Sequence, residues 1–251
     1  GCGFGCGSGG PDLPCPMRFP LTHYAIFEIL VFTVLFGGTA AVAFLKVEGP
    51  LGPVLGVLSL LGLGFVLNFF RDPNRRTDAA DDAVIAPADG KVTDIVEFDH
   101  VPFLDGPAIR IGIFLSVFDV HVNRTPVAGE VAYLHHRPGS YLDARDPSCA
   151  DLNEAQDVGV LVKDHAGQSF PVMIRQISGL IARRIVCAAR VGQTLKRGER
   201  YGMIKVGSRA EVYLPKDRVV SIDVPLGTHV RGGEHTLARL RMGSPGQKVG
   251  S

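Results

Sequence analysis

The sequence predicts a mainly β body, a sandwich or barrel, carrying an N-terminal apolar α-helical hairpin. Three observations carry that fold class. Between Tyr24 and Phe70 the only charged residues are Glu28, Lys46 and Glu48, too few for helices with a solvated face. After Thr77 the apolar period changes to two, in short runs separated by Gly, Pro, Asp and Asn, the pattern of half-buried strands and their turns. A helical period returns only at Tyr141–Asn153.

In chain order, GCGFGCGSGGPDLPCP comes first and has no apolar period at all. Residues 1–19 are therefore expected to be disordered or an artefact of start assignment, with Met17 the natural start. Cys2, Cys6 and Cys15 lie there, and Cys149 and Cys187 stand alone. The expectation is free thiols in a reducing compartment and no metal site. YAIFEILVFTVLFGGTAAVAFL (Tyr24–Leu45) and LGPVLGVLSLLGLGFVLNFF (Leu51–Phe70) follow, each close to the roughly 20 apolar residues that a bilayer-crossing helix needs. Arg18 precedes the first and RDPNRR (Arg71–Arg76) follows the second. The positive-inside rule then puts both ends, and the body, on the cytoplasmic face of the inner membrane. Glycines and Pro53 in the second stretch leave a shallow re-entrant hairpin open. Residues 20–76 read as the membrane-associated hairpin and 77–251 as the β-rich domain.

In that domain VIAPADGKVTDIVEF, AIRIGIFLS, GEVAYLHH, VGVLVKD, FPVMIRQIS, RIVCAAR, YGMIKV, AEVYLP and RVVSIDV read as strands. VPLGTHVRGGEHTLARL has the turn spacing of biotin or lipoyl carriers, but no lysine sits on the matching hairpin, so only the turn geometry is shared. The formal net charge of +1 gives nucleic acid no electrostatic footprint.

One dipeptide breaks the pattern. Of five Gly-Ser pairs, only Gly207-Ser208 is flanked by strand residues, Ile204 and Val206 before it and Val212 to Leu214 after it. A bulge is one reason for glycine there. The other is chemical: a strained turn lets Oγ of Ser208 attack the Gly207 carbonyl, and elimination of the resulting ester cuts the chain and leaves a pyruvoyl group. A second candidate region is Ile111–Val131, where Asp119, His121 and Asn123 alternate onto one face if the strand continues, putting a histidine beside a carboxylate. A third is Asp89 in the turn of IAPADGKV, which as an Asp-Gly pair is also an ordinary hairpin turn.

Together the order Asp89, His121, Ser208 resembles the phosphatidylserine decarboxylase family in its short bacterial form. The strings that carry the resemblance are FFRDPNR (Phe69–Arg75), IAPADGKV (Ile85–Val92), SVFDVHVNR (Ser116–Arg124) with PVAGEV (Pro126–Val131), QISGLIARRIVC (Gln176–Cys187), GERYGMIKVGSRAEVYLP (Gly198–Pro215) and V-x-x-G (Val230–Gly233). The resemblance implies a proenzyme cut between Gly207 and Ser208 into a β chain (1–207) and an α chain (208–251) that stay associated. It implies a pyruvoyl cofactor made from Ser208, which forms a Schiff base with phosphatidylserine in the bilayer, and release of phosphatidylethanolamine for phospholipid biosynthesis. Catalytic roles fall on Ser208, His121, Asp89 and Asp119, and Arg183 and Arg184 are candidates for the lipid phosphate. A homo-oligomer is compatible with it. One departure stands out: where long-form members have a second histidine, this chain has Arg124. Competing readings are a serine hydrolase using Ser208, His121 and Asp89, which lacks the G-x-S-x-G turn, and a non-catalytic β module tethered to a membrane.

Overall fold

The structure, a computed structural model, describes residues 20–139, 153–179, 184–205 and 208–243. Residues 1–19, the predicted helix at Tyr141–Asn153 apart from Asn153 itself, Arg183 and Gly207 lie outside the described residues.

Two helices form the N-terminal hairpin, α1 (Ile26–Lys46) and α2 (Leu51–Phe69). Both are long and apolar enough to cross a membrane, with mean hydropathies of 2.1 and 1.9 over their most apolar stretches. The turn between them is short because Gly49 takes a left-handed φ of 76°. The glycines of α2 do not break it. Pro53 sits in its first turn, where no donor is needed. Gly56 and Gly62 lie against the rings of Phe44 and Phe36, and a Cβ at Gly56 would come within 2.4 Å of the Phe44 ring. Small residues on one helix thus receive aromatic side chains from the other, as in close-packed apolar helix pairs.

Fourteen strands follow among the described residues: β1 (Ala83–Ile85), β2 (Gly90–Val101), β3 (Gly106–Leu115), β4 (Val122–Arg124), β5 (Gly129–Arg137), β6 (Ala155–Lys163), β7 (Ser169–Ile177), β8 (Ile185–Cys187), β9 (Thr194–Leu195), β10 (Arg200–Ile204), β11 (Ser208–Pro215), β12 (Val219–Ile222), β13 (His229–Val230) and β14 (Thr236–Leu240). They make an 8-stranded antiparallel sheet in the order β13-β2-β3-β11-β7-β6-β5-β9, and two 3-stranded sheets, β1-β14-β12 and β4-β10-β8. The mainly β expectation is met, with the apolar helical pair in front of it.

Layering follows from the alternation. One face of the large sheet, with Ile111, Ile113, Val160, Ile174 and Val212, packs on Val84, Leu237 and Leu240 of the first small sheet. The second small sheet is a middle layer. Its Met203 and Val186 meet Ala25, Val66, Phe69 and Phe70 of the hairpin region, while Ile204 and Ile185 meet Leu115 and Ala210 of the large sheet. The helices are therefore one strand-layer away from β11.

The opposite face of the large sheet carries charge. Arg209 donates from Nε to Glu211 at 2.7 Å and from Nη1 to Thr93 at 2.8 Å, and pairs with Asp94. Arg110 bridges Asp94 and Glu211. Tyr213 donates to Glu211 at 2.7 Å, and Arg175 joins Tyr213 to Asp157. Gly112 makes room, since a Cβ there would lie 1.9 Å from Arg209 Nη2. Arg209 and Glu211 are both fully buried, so each carries a desolvation cost that only its partners offset. Arg209→Met should leave two carboxylates, Glu211 and Asp94, sharing the cation Arg110 and destabilise the protein by about 3–5 kcal/mol, read as a large drop in Tm of the detergent-solubilised chain. An unchanged Tm would show that the network carries no stability.

Candidate active site

Ser208 is the first residue of β11 and pairs with Leu115, the last of β3. Cross-strand partners point to the same face. Ala210 pairs with Gln176 of β7, so Ser208, two residues before Ala210, shares a face with Gln176. Gln176 Nε2 donates to Asn123 Oδ1 of β4 at 2.8 Å, bridging the large sheet to the middle layer. Gly202 permits that approach, because a Cβ there would lie 2.2 Å from the Val186 carbonyl and 3.1 Å from Gln176 Nε2.

Gln176 Oε1 and Asn123 Nδ2 of this bridge, Ser208 Oγ on the same sheet face and Nε2 of His121, two residues before Asn123, are buried without a hydrogen-bond partner among the described residues. Buried polar atoms are nearly always satisfied, so such a group marks a place built to hold a polar guest or to react. A small carbonyl-bearing group derived from Ser208 fits this donor and acceptor set.

His121 sits just before β4, its carbonyl accepting from Ile204 N at 3.2 Å. Its ring lies against Phe69 of α2, with centroids 4.2 Å apart. Nδ1 lies 2.9 Å from the Asp119 carbonyl, which can only accept, so the neutral ring carries its proton on Nδ1 and its lone pair on Nε2. Burial, only partly opposed by the hydrogen bond to Asp119, pushes the imidazole down to about 4. At neutral pH His121 is a buried, unprotonated base.

The predicted single face for Asp119, His121 and Asn123 is not formed. The strand ends at Leu115, and Ser116–His121 is a turn and coil, so the period-two rule does not reach Asp119. Asp119 holds His121 through its carbonyl. Its carboxylate instead accepts from Ser116 N at 2.8 Å and lies 2.9 Å from His229 Nε2. Phe118 of the same turn sits edge-on to Phe65 of α2, and Arg71 Nη2 donates to its carbonyl at 2.7 Å.

Asp89 is committed elsewhere in the site. Both its oxygens pair with Arg75, and Oδ1 also accepts from Gly232 N at 2.8 Å. The V-x-x-G turn wraps onto it because Gly233 takes a φ of 84° and bonds Ala86. No hydrogen bond links Asp89, His121 and Ser208 in series, so a serine-hydrolase triad is not assembled. Arg124 has a clear occupation: Nη2 donates to Asp72 at 3.0 Å and to the Pro73 carbonyl at 2.9 Å, while Arg200 takes the other oxygen of Asp72 at 2.6 Å. Burial and the neighbouring Arg200 lower its guanidinium to about 10, still charged at neutral pH. It is a strut, not a base. Arg184 is exposed immediately before β8.

The sequence reading missed Gln176, Arg75 and His229. Gln176 had a signal, a lone amide inside the apolar run FPVMIRQIS, whereas the partners of Arg75 and His229 lie 14 and 110 residues away.

His121 also sets a pH dependence. The unfolded chain takes up its proton near 6.5 and the folded chain near 4, so stability is full above about pH 6.5, falls as pH drops, and levels off below about 4. The loss between pH 7 and pH 5 is about 2 kcal/mol. His121→Gln should flatten that part of the Tm-against-pH curve; a slope equal to wild type would place the proton uptake on another group.

Residues 63–238 match the family described as phosphatidylserine decarboxylase. The chain is 43% identical over 187 residues to a phosphatidylserine decarboxylase proenzyme of Carboxydothermus hydrogenoformans, covering 74% of this chain and 85% of that one. A protein of the same description from Symbiobacterium thermophilum is 44% identical over 200 residues, 80% and 88% of the two chains. One from Rhodopirellula baltica is 40% identical over 224 residues, 89% and 90%. With the matched span running from within α2 through β11 to β14, and Gly207-Ser208 inside it, the chain belongs to the phosphatidylserine decarboxylase family.

Proposed function

We propose that this chain is a self-maturing enzyme that removes the carboxylate of phosphatidylserine and releases phosphatidylethanolamine, a step of phospholipid biosynthesis. The observation that carries the reading is Ser208 itself: a buried hydroxyl without a hydrogen-bond partner among the described residues, opening a fully buried strand, in a chain of this family.

Maturation begins when Ser208 Oγ loses its proton and attacks the Gly207 carbonyl carbon. The Gly207–Ser208 amide shifts to an ester on Oγ, freeing the amine of residue 208. Loss of the Cα proton of residue 208 then expels Gly207 as a carboxylate and leaves a dehydroalanine. Its tautomer takes up water and releases ammonia. His121 Nε2 supports this sequence as the base, since it is neutral, buried and without a partner among the described residues, and its main chain is bonded to Ile204, four residues before Ser208. With Arg124 bound to Asp72, His121 serves without a second histidine. The pyruvoyl group so made supplies an electrophilic ketone that binds the substrate amine covalently and accepts the electron pair as carbon dioxide leaves.

Gln176 and Asn123 hold polar atoms beside residue 208 and orient what is bound there. Asp119 fixes the tautomer of His121 through its carbonyl, and Asp89, clamped by Arg75 and the Gly232 amide, ties the segment after α2 and the V-x-x-G turn to the start of β2. The α chain (208–251) stays with the β chain (1–207) because β11 is bonded on both sides, to β3 and β7. Residues 20–76 anchor the catalytic domain, 77–251, to the cytoplasmic face of the inner membrane. Arg183 and Arg184 are proposed to meet the lipid phosphate.

Intact-mass measurement of purified protein tests this. The parent should give two chains, the smaller beginning at residue 208 with a pyruvoyl cap, and Ser208→Ala a single full-length chain that releases no carbon dioxide from phosphatidylserine. His121→Ala should slow cleavage by about 10²–10⁴-fold, the usual worth of a general base. Decarboxylation surviving in Ser208→Ala would end the proposal.

A further inference from the structure

A cavity of about 450 Å³ lies where α1 begins, between its first turn and the ends of β8 and β10. Arg184, Lys205 and His23 line it, with Glu28 as its carboxylate. Lys205 ion-pairs with Glu28 across 177 residues of sequence. Arg184 is exposed and forms no ion pair among the described residues, and its carbonyl accepts from Lys205 N at 3.4 Å. The remaining wall is apolar: Ile26 and Phe27 are 56% and 76% exposed and continue into the uncovered flank of α1.

We infer that this cavity is the subsite for the phosphodiester of the lipid substrate, an inference that rests on the function proposed above. A phosphodiester is a singly charged anion with two free oxygens, matched to one guanidinium and one ammonium. Lys205 is held against Glu28, and the anion replaces that carboxylate as its partner. The glycerol and acyl chains then run along Ile26 and Phe27 onto the apolar face of α1, so the lipid keeps its tails in the bilayer. Free phosphate or a soluble anion gains nothing from that wall.

Chain length links the subsite to the chemistry. Lys205 precedes Ser208 by three residues, a span of at most about 10 Å, and a lysine side chain with a serine headgroup bridges such a distance. Val186 and Lys205 belong to the same middle layer whose Ile204 bonds His121. The headgroup amine therefore reaches residue 208 from a phosphate held at the membrane side.

The test is binding, made in the Ser208→Ala chain so that it needs no maturation. The detergent-solubilised protein is titrated with dihexanoyl-phosphatidylserine below its micelle concentration and followed by phosphorus NMR. Arg184→Gln and Lys205→Gln should each weaken binding roughly 10-fold, the scale of one lost charged hydrogen bond. Lys205→Arg should restore it, and Glu28→Gln should tighten it by freeing Lys205. Arg190→Gln, an exposed cation elsewhere, should change nothing, and inorganic phosphate should not compete. Unchanged binding in both Arg184→Gln and Lys205→Gln, an equal loss in Arg190→Gln, or displacement by inorganic phosphate would each overturn the assignment. Because the readout is binding, it stands apart from whether the mature enzyme decarboxylates the lipid.

Discussion

The register of β11 is the constraint on which the rest of the molecule depends. All eight of its residues are buried, yet they divide by face. Ala210, Val212 and Leu214 go into apolar cores, and Arg209, Glu211 and Tyr213 go into a network of charges. A slip of one residue would send the guanidinium and carboxylate into the hydrocarbon core and the aliphatic side chains among ions. Neither exchange is affordable for groups this deeply buried. Ser208, as the first residue of the strand, inherits that fixed position on the apolar-core face, opposite Leu115 and beside Gln176.

In the proposed maturation the same strand becomes the start of a new chain. Its ladder partners β3 and β7 both lie before residue 207, and the charges that hold its outer face come from β2, β3, β6 and β7 as well. Breaking the main chain at the strand's first residue removes none of these contacts. The charged network therefore gives a physical basis for a sheet that would stay intact across the proposed break.

A second set of charges ties the helices to the site. The segment after α2 carries Asp72, which pairs with Arg124 of β4 and Arg200 of β10, and Arg75, which pairs with Asp89 before β2. Phe69 covers the ring of His121. The apolar hairpin, the histidine and the middle sheet thus form one packed unit, and burial by that unit keeps His121 neutral. An apolar helix and a buried, unprotonated histidine share one contact surface.

Much of this was legible in the chain. The loss of charge between Tyr24 and Phe70, the change of period after Thr77 and the misplaced Gly207-Ser208 pair are local patterns, and local patterns follow from backbone geometry that needs no tertiary partner. What the sequence could not supply was which polar groups meet. Asp119 turned its carboxylate to His229 instead of His121 because the strand stops at Leu115. Arg124, which looked like a missing base, proved to be bound to Asp72, 52 residues away. Gln176 became part of the site only through register, by lying opposite Ala210. By itself the sequence determined the helices, the strands and the Gly-Ser pair set among strand residues; the tertiary structure alone decided the partners of the buried charges, because those depend on strand register and burial, which are properties of the whole sheet.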